Sequence, residues 1–479
     1  MLLEIDLRSL ALMRIGVAAT VLIDLLSRVR DLDALYGANG VLPPELARAL
    51  WDWRVTLSLF TWIAPWPSLL WAAVGLLTLA AICLALGVLP RLSAASAWVL
   101  LAAIQDRNPA LYMSGDRYLL LLLMWCALLP TGARFSFRPA PAGVTRLRSW
   151  AGAGLLLQIA MVYVLTGLKK TGPAWFDGSA LWYALNQDQY VTAAGRWLRS
   201  QTTLIRVLSP LIRRFEIFGP LLAFSPVWNS TGRIVAVVTF WSLHLGLHTF
   251  QAIGVFQLVG IAAWFVFLPS ALWDRVAPLA RDGGHQPAGP RRIKSSRWTA
   301  CLTAVPLAYL VIVMTWAGAG LVVRGTPHNP PPAVVERIAS LLHLQEGWAM
   351  FASVSPNQSW YLAPGTLADG SEVELLRRSL VLDWSKPANV QRAQGGFRWT
   401  LYLGNAIRRG IDESAFRATY PALLNYFCRD WNARHGGTRR LTRVSILAVV
   451  ESIGPPGSAA NPPLGHYVFA AQGCVVGTP

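Results

Sequence analysis

Nine ionisable side chains fall within or at the ends of long apolar stretches of this chain: Asp24, Asp106, Arg107, Asp116, Arg117, Lys169, Lys170, His244 and His248. A charge is costly in hydrocarbon, so each marks either a functional site or a partnered structural group. Lys169 and Lys170 close the stretch 150–168, just after Tyr163 and Gly167. Lysines at a helix end can reach the headgroups and complement the helix dipole. The chemical alternative is an ammonium taken out of water, because burial lowers an amine's pKa and frees a neutral base. On sequence alone the headgroup anchor is the expected role, because spacing does not show burial. His244 and His248 stand four apart, on one face of a helix. That spacing suits metal or haem ligation, but no third ligand is evident, so hydrogen bonding inside a bundle is the expected role. His244 would also suit proton transfer, since imidazole titrates near neutrality. Asp106-Arg107 and Asp116-Arg117 flank a short connection and are expected to neutralise each other. Asp24 has Arg14 and Arg28 as alternative partners.

These groups need apolar elements to hold them. A membrane-crossing helix needs about 20 predominantly apolar residues. The stretches 9–29, 66–89, 150–168, 251–270 and 298–323 meet this, and 232–250 does so despite its two histidines. The pair 93–113 and 116–131 and the weaker 207–226, which carries Arg213 and Arg214, bring the expected count to nine spans. Residues 41–63 and 174–206 mix Trp, Leu and Arg at helical spacing and read as interfacial helices over the mouth of the bundle. Arg134, Arg138, Arg146 and Arg148 in one loop, and Arg275, Arg281, Arg291, Arg292, Lys294 and Arg297 in another, read as cytoplasmic. The N-terminus is then cytoplasmic and the C-terminal segment extracytoplasmic. Arg196, Arg199 and Arg206 oppose this scheme unless an amphipathic surface helix holds them.

Hydrophobic residues make up 54% of the 479 residues and charged ones 14%, against about 25% charged in soluble domains. The 22 Trp residues suit membrane interfaces. The net charge of +18 does not imply nucleic acid, because the basic residues are spread over short loops rather than gathered on one face. Phosphate-binding loops, GxSxG, HExxH, Cys-rich zinc spacing and a cleavable signal sequence are not found. Cys83, Cys126 and Cys301 lie in apolar stretches and read as inert core residues.

The expected organisation is a membrane bundle over 1–323, a linker over 324–332 opened by His328-Asn329-Pro330-Pro331-Pro332, and an extracytoplasmic α+β domain over 333–479. In that domain, Trp360 to Leu367 and Ser371 to Leu376 flank Asp369-Gly370 and predict a hairpin. Residues 413–432 read as a helix, and 443–450 and 466–472 as strands. Cys428 and Cys474 are the only cysteines there, and an oxidising compartment favours their bonding.

The order of several motifs resembles the HTTM proteins, bacterial relatives of vitamin K-dependent gamma-carboxylase. They are Ile5 to Ile15, Tyr36-Gly37, Gly40 to Pro43, Tyr112 to Leu119, Gly132 to Ser136, and Tyr163 to Lys170 with Trp175 and Asp177-Gly178. His244, Ile253 to Phe256, Trp348 to Ala352 and Arg398-Trp399 complete the set. The resemblance implies a carboxylase- or epoxidase-like membrane enzyme using vitamin K or menaquinone hydroquinone. It makes Lys170 the base, with His244 and Asp116 near it, and Lys169, Tyr163 and His248 beside the quinone. Where the carboxylase has a histidine after an asparagine, this chain has Pro109 after Asn108. The resemblance also allows a non-catalytic protein whose outer domain binds a secreted peptide or an envelope partner.

Overall fold

A computed structural model of the chain describes residues 2–50, 59–141, 143–276, 291–292, 297–324, 332–344, 348–458 and 461–474. The Pro-rich segment His328 to Pro331 and the loop residues Arg281 and Lys294 lie outside the described residues.

Each of the nine apolar stretches carries a helix: Leu7–Val29, Pro67–Leu86, Pro90–Arg107, Ser114–Leu128, Trp150–Lys169, Thr202–Leu222, Asn229–Phe250, Phe256–Trp264 and Arg297–Arg324. Local sequence sets their ends. Asp6 accepts from the Arg8 N–H at the start of the first helix, and Ser149 accepts from the Gly152 N–H at the start of the fifth. Gly87, at φ +71, closes Pro67–Leu86 in the left-handed conformation that glycine tolerates. Length and hydropathy do not confirm nine spans among the described residues. Among the described residues, Leu7–Val29, Pro67–Leu86 and Trp150–Lys169 are long and apolar enough to cross a membrane. Phe256–Phe267 with Ser270–Val276, bent by 90°, would make a fourth. Ser114–Leu128 has only 15 residues, and Thr202–Leu222 carries Arg206, Arg213, Arg214 and Glu216.

Ile5–Asp6 pairs antiparallel with Val144–Leu147, which pairs parallel with Arg291–Arg292. This small sheet gathers the N-terminus and the two basic loops at one end of the bundle. The first helix and Trp150–Lys169 both run from that end to the opposite one, where the C-terminal sheet domain sits. The expected interfacial segment 174–206 folds as Ala174–Asp177, Ala180–Leu185 and Ala193–Ser200 between bundle and outer domain.

Leu441–Ser452 is the centre of the outer sheet. Pro463–Gly473 lies along one edge, and Asn357–Leu362 and Pro364–Leu367 follow the other, all antiparallel. Pro364–Leu367 pairs in turn with Glu372–Glu374 through the predicted Asp369-Gly370 turn, with Gly370 at φ +84. Thr419–Asn432 is the expected helix, and Cys428 is bonded to Cys474 with their Cα atoms 5.5 Å apart. Phe397–Asp412 is a further helix, buried through Trp399, Tyr402, Leu403, Ala406 and Ile407. Of the other three cysteines only Cys126 is a core residue; Cys83 is half-buried and Cys301 is exposed.

Candidate functional site

Lys170 follows the last turn of Trp150–Lys169 and is 1% exposed, so it does not reach the headgroups. Its carbonyl accepts from Arg213 Nε at 2.8 Å, which satisfies one open acceptor of the helix end. Its Nζ donates to Oε2 of buried Glu216, on the adjacent helix Thr202–Leu222. Gly167 permits this approach: a Cβ there would stand 3.1 Å from Glu216 Cβ and 2.7 Å from Ile217. The ammonium also lies 5.0 Å from the centre of the buried Trp175 ring, a cation–π contact on its remaining side.

Beyond the pair lies a cavity of about 50 Å³. Its polar rim is Lys170, Glu216, Thr166, Tyr163, His244 and Gln251. Leu181, Leu243, Leu247, Phe256, Met350 and Phe351 supply much of the apolar wall. Tyr163 Oη and His244 Nε2 are 2.7 Å apart, and both residues are buried. His244 fits only because residue 260 is glycine: a Cβ at Gly260 would meet His244 Cε1 at 2.1 Å. His244 Nδ1 is buried with no hydrogen-bond partner among the described residues. Beneath the site, Phe240 stacks on Trp264 at 4.0 Å and Tyr163 packs on Phe240 at 4.4 Å, which fixes the phenol from below.

Met350 and Phe351 come from the C-terminal part of the chain and line one side of the cavity. Trp175 Nε1 donates to the Phe351 carbonyl at 2.9 Å and holds that segment down. The neighbouring cover is clamped as well. Trp182 Nε1 donates to the Gly454 carbonyl at 2.8 Å, and Lys386 bonds Asp188 at 2.7 Å and Glu451 at 2.6 Å. Burial alone would lower the Lys386 pKa, but these two carboxylates outweigh it and raise the pKa above its ordinary value. Arg199, one of the three residues at odds with the topology, bonds Asn186 and Asp188 within this cover.

Asp116 is placed elsewhere. It belongs to a buried cluster with Asp24, Arg28 and Arg398. Arg28 bonds Asp24 at 2.6 Å, Asp116 at 2.8 Å and Tyr36 Oη at 2.7 Å. Arg398, from the outer helix Phe397–Asp412, reaches Asp24 and lies 3.4 Å from Asp116. Two carboxylates and two guanidinium groups balance, as burial of charge requires. Asp24 therefore takes Arg28 and not Arg14, whose guanidinium bonds the carbonyls of Thr131, Ala85 and Phe135.

The adjacent pairs do not neutralise each other as expected. Arg107 donates to the carbonyls of Gly37 and Leu42 at 2.9 and 2.7 Å, while Asp106 faces His343 Nε2 at 3.4 Å. Arg117 lies over the Tyr112 ring at 4.7 Å. Asn108 bonds the Leu35 carbonyl and caps the turn that Pro109 begins. Lys169 is half-buried and His248 is exposed, and neither lines the cavity. Among the described residues no group of three or more His, Cys, Asp or Glu is placed to hold a metal ion. Of the sequence-derived site residues the fold thus brings together Lys170, Tyr163 and His244. Sequence reading missed Glu216, whose signal was a lone acid in the apolar stretch 207–226.

A family model described as the HTTM domain matches residues 4–273, which spans every one of these bundle residues. No curated protein and no solved structure matches the chain.

Proposed function

The chain belongs to the HTTM domain family, and on that premise we propose that its membrane bundle holds a redox-lipid site, closed by the outer domain, with Lys170 as the base. The observation that carries this reading is a buried lysine, paired with a buried carboxylate, at the rim of an apolar cavity. The residues present suit vitamin K or menaquinone hydroquinone in kind. The walls are apolar, as a lipid requires, and His244 Nδ1 is a polar atom still wanting a partner. In size the closed cavity holds only a few waters, so admitting a bicyclic ring requires the Met350-Phe351 segment to lift. A hydroquinone would supply an acidic phenol and reducing equivalents. Glu216 Oε2 is placed to hold a proton from Lys170 Nζ, and the neutral amine so formed would accept a proton from a phenol bound in the cavity. The Tyr163–His244 pair fixes orientation by hydrogen bonding, and Met350, Phe351 and Trp175 keep water out.

We place the N-terminus and basic loops on the cytoplasmic face of the plasma membrane and the sheet domain outside. The common end of the three basic segments and the Cys428–Cys474 bond in the outer domain support this orientation.

The test is titration of the purified protein with a menaquinone-type lipid, followed by intrinsic Trp fluorescence, for wild type and Lys170→Ala. Saturable binding that weakens in Lys170→Ala is expected. No binding by folded wild type would refute the site. Lys170–Glu216 would then be a pin between two helices, and the outer domain, with a secreted peptide or envelope protein as partner, would carry the function.

A further inference from the structure

We propose that a cleft between the end of the first helix and the outer domain binds a phosphorylated polyol, either free or as the headgroup of an anionic lipid. The cleft has a volume of about 510 Å³. Arg30, Arg377, Arg378, Arg392 and Arg434 line it, opposed only by Asp31 and Asp430. With Asp383, the partner of Arg377, counted beside these two aspartates, two positive charges remain. Arg377 and Arg434 have protein partners in Asp383 and Asp430, and Arg30 lies 3.9 Å from Asp31. Arg378 and Arg392 are exposed and have no side-chain partner among the described residues. Arg378 is moreover held at φ +53, a conformation unfavourable for a side chain with a Cβ.

The second observation is Gln394, which lines the same cleft and is 2% exposed. Both its Oε1 and its Nε2 are buried without a partner among the described residues. An amide in that state can take one donor and one acceptor from water or from a ligand. A hydroxyl-bearing phosphate supplies both, because its hydroxyls donate and its oxygens accept. A phosphate also suits the charge better than one carboxylate, since guanidinium forks bind its oxygens in pairs and a monoester carries up to two negative charges. Trp399, Tyr426 and Phe427 give the cleft an aromatic side on which the C–H face of a polyol can rest. Arg30 and Asp31 directly follow Val29, the last residue of a helix able to cross the membrane. This places the cleft at headgroup level and within reach of lipid.

The experiment uses the full chain in a zwitterionic detergent. Calorimetry with sn-glycerol 3-phosphate is run beside short-chain soluble phosphatidylglycerol and phosphatidylcholine. Wild type, Arg378→Ala/Arg392→Ala and Gln394→Leu are compared after their melting temperatures are checked. Saturable binding is expected, weakened about tenfold or more in the double arginine variant and also weakened in Gln394→Leu. Binding of phosphatidylglycerol alone identifies a lipid headgroup, and binding of glycerol phosphate as well identifies the phosphorylated polyol itself as sufficient. The proposal fails if neither binds, if free glycerol binds equally well, or if folded variants bind as wild type does. It also fails if a glutamate-rich peptide occupies the cleft and glycerol phosphate does not displace it.

Discussion

Replacing Arg398 by methionine should loosen the outer domain from the bundle. Arg398 is buried, its guanidinium bonds Asp24 and approaches Asp116, and its aliphatic stem is close to methionine in volume. After substitution the cluster holds two carboxylates against Arg28 alone, so one negative charge is left buried and uncompensated. Removing one partner of a buried ion pair costs roughly 3–5 kcal/mol, or about two to four orders of magnitude in the docked population. Adding Asp116→Asn restores neutrality around Asp24 and Arg28, so the double variant should regain most of that loss. Thermal unfolding in detergent, read by Trp fluorescence, measures stability, and limited proteolysis of the outer domain measures docking. Two results would refute the reasoning: a loss below about 1 kcal/mol for Arg398→Met, or a double variant no more stable than the single one.

Gly260→Ala should displace the His244 ring, since the new methyl would lie 2.1 Å from Cε1. A cost of about 1–3 kcal/mol and weaker quinone binding are expected by the same fluorescence titration. Glu374 is fully buried, and burial raises its pKa despite the N–H groups of Ala363, Arg377 and Leu376 on its carboxylate. The fold therefore holds the proton more tightly than the unfolded chain. This contribution to stability is complete below the ordinary value of 4.5 and is lost as pH rises through the elevated folded value. Melts between about pH 4.5 and 7 should show Glu374→Gln with a flatter dependence than wild type. Reducing Cys428–Cys474, which are 46 residues apart, should lower outer-domain stability by about 2–4 kcal/mol, read from the denaturant midpoint with and without reductant.

The parts of the fold that were legible in sequence are those set by local pattern. Apolar length marked the helices, Asp369-Gly370 marked its hairpin, and two cysteines in the outer segment had each other as partners. The span count is not confirmed where a helix is apolar but short, or long but charged, because burial between helices and exposure to lipid give similar sequences. Of the ionic partners only Arg28, four residues from Asp24, was within reach of a spacing rule. Arg398 is 374 residues from Asp24, and Glu216 is 46 from Lys170, separations at which no spacing rule operates. Adjacency misled for Asp106-Arg107, because neighbours on a helix do not face each other. His248 lies one turn, about 6 Å, beyond His244, and that carries it past the packing at Gly260 to an exposed position.

The two buried polar centres are mechanically joined. Gly115, next to Asp116, packs so closely on Phe256 that a Cβ would stand 3.0 Å from the Phe256 Cα, and Phe256 lines the Lys170 cavity. The outer domain touches both centres, through Arg398 at one and through Met350 and Phe351 at the other. The same domain thus places Arg398 against the aspartates and Met350 and Phe351 against the cavity. Lys170 and Glu216 are buried in the same structure that buries Arg398, and a low-dielectric surrounding strengthens such a pair. On the proposed function, a lipid entering beside Lys170 would have to move Met350 and Phe351, and the C-terminal domain's hold on Asp24 and Asp116 through Arg398 would oppose that movement.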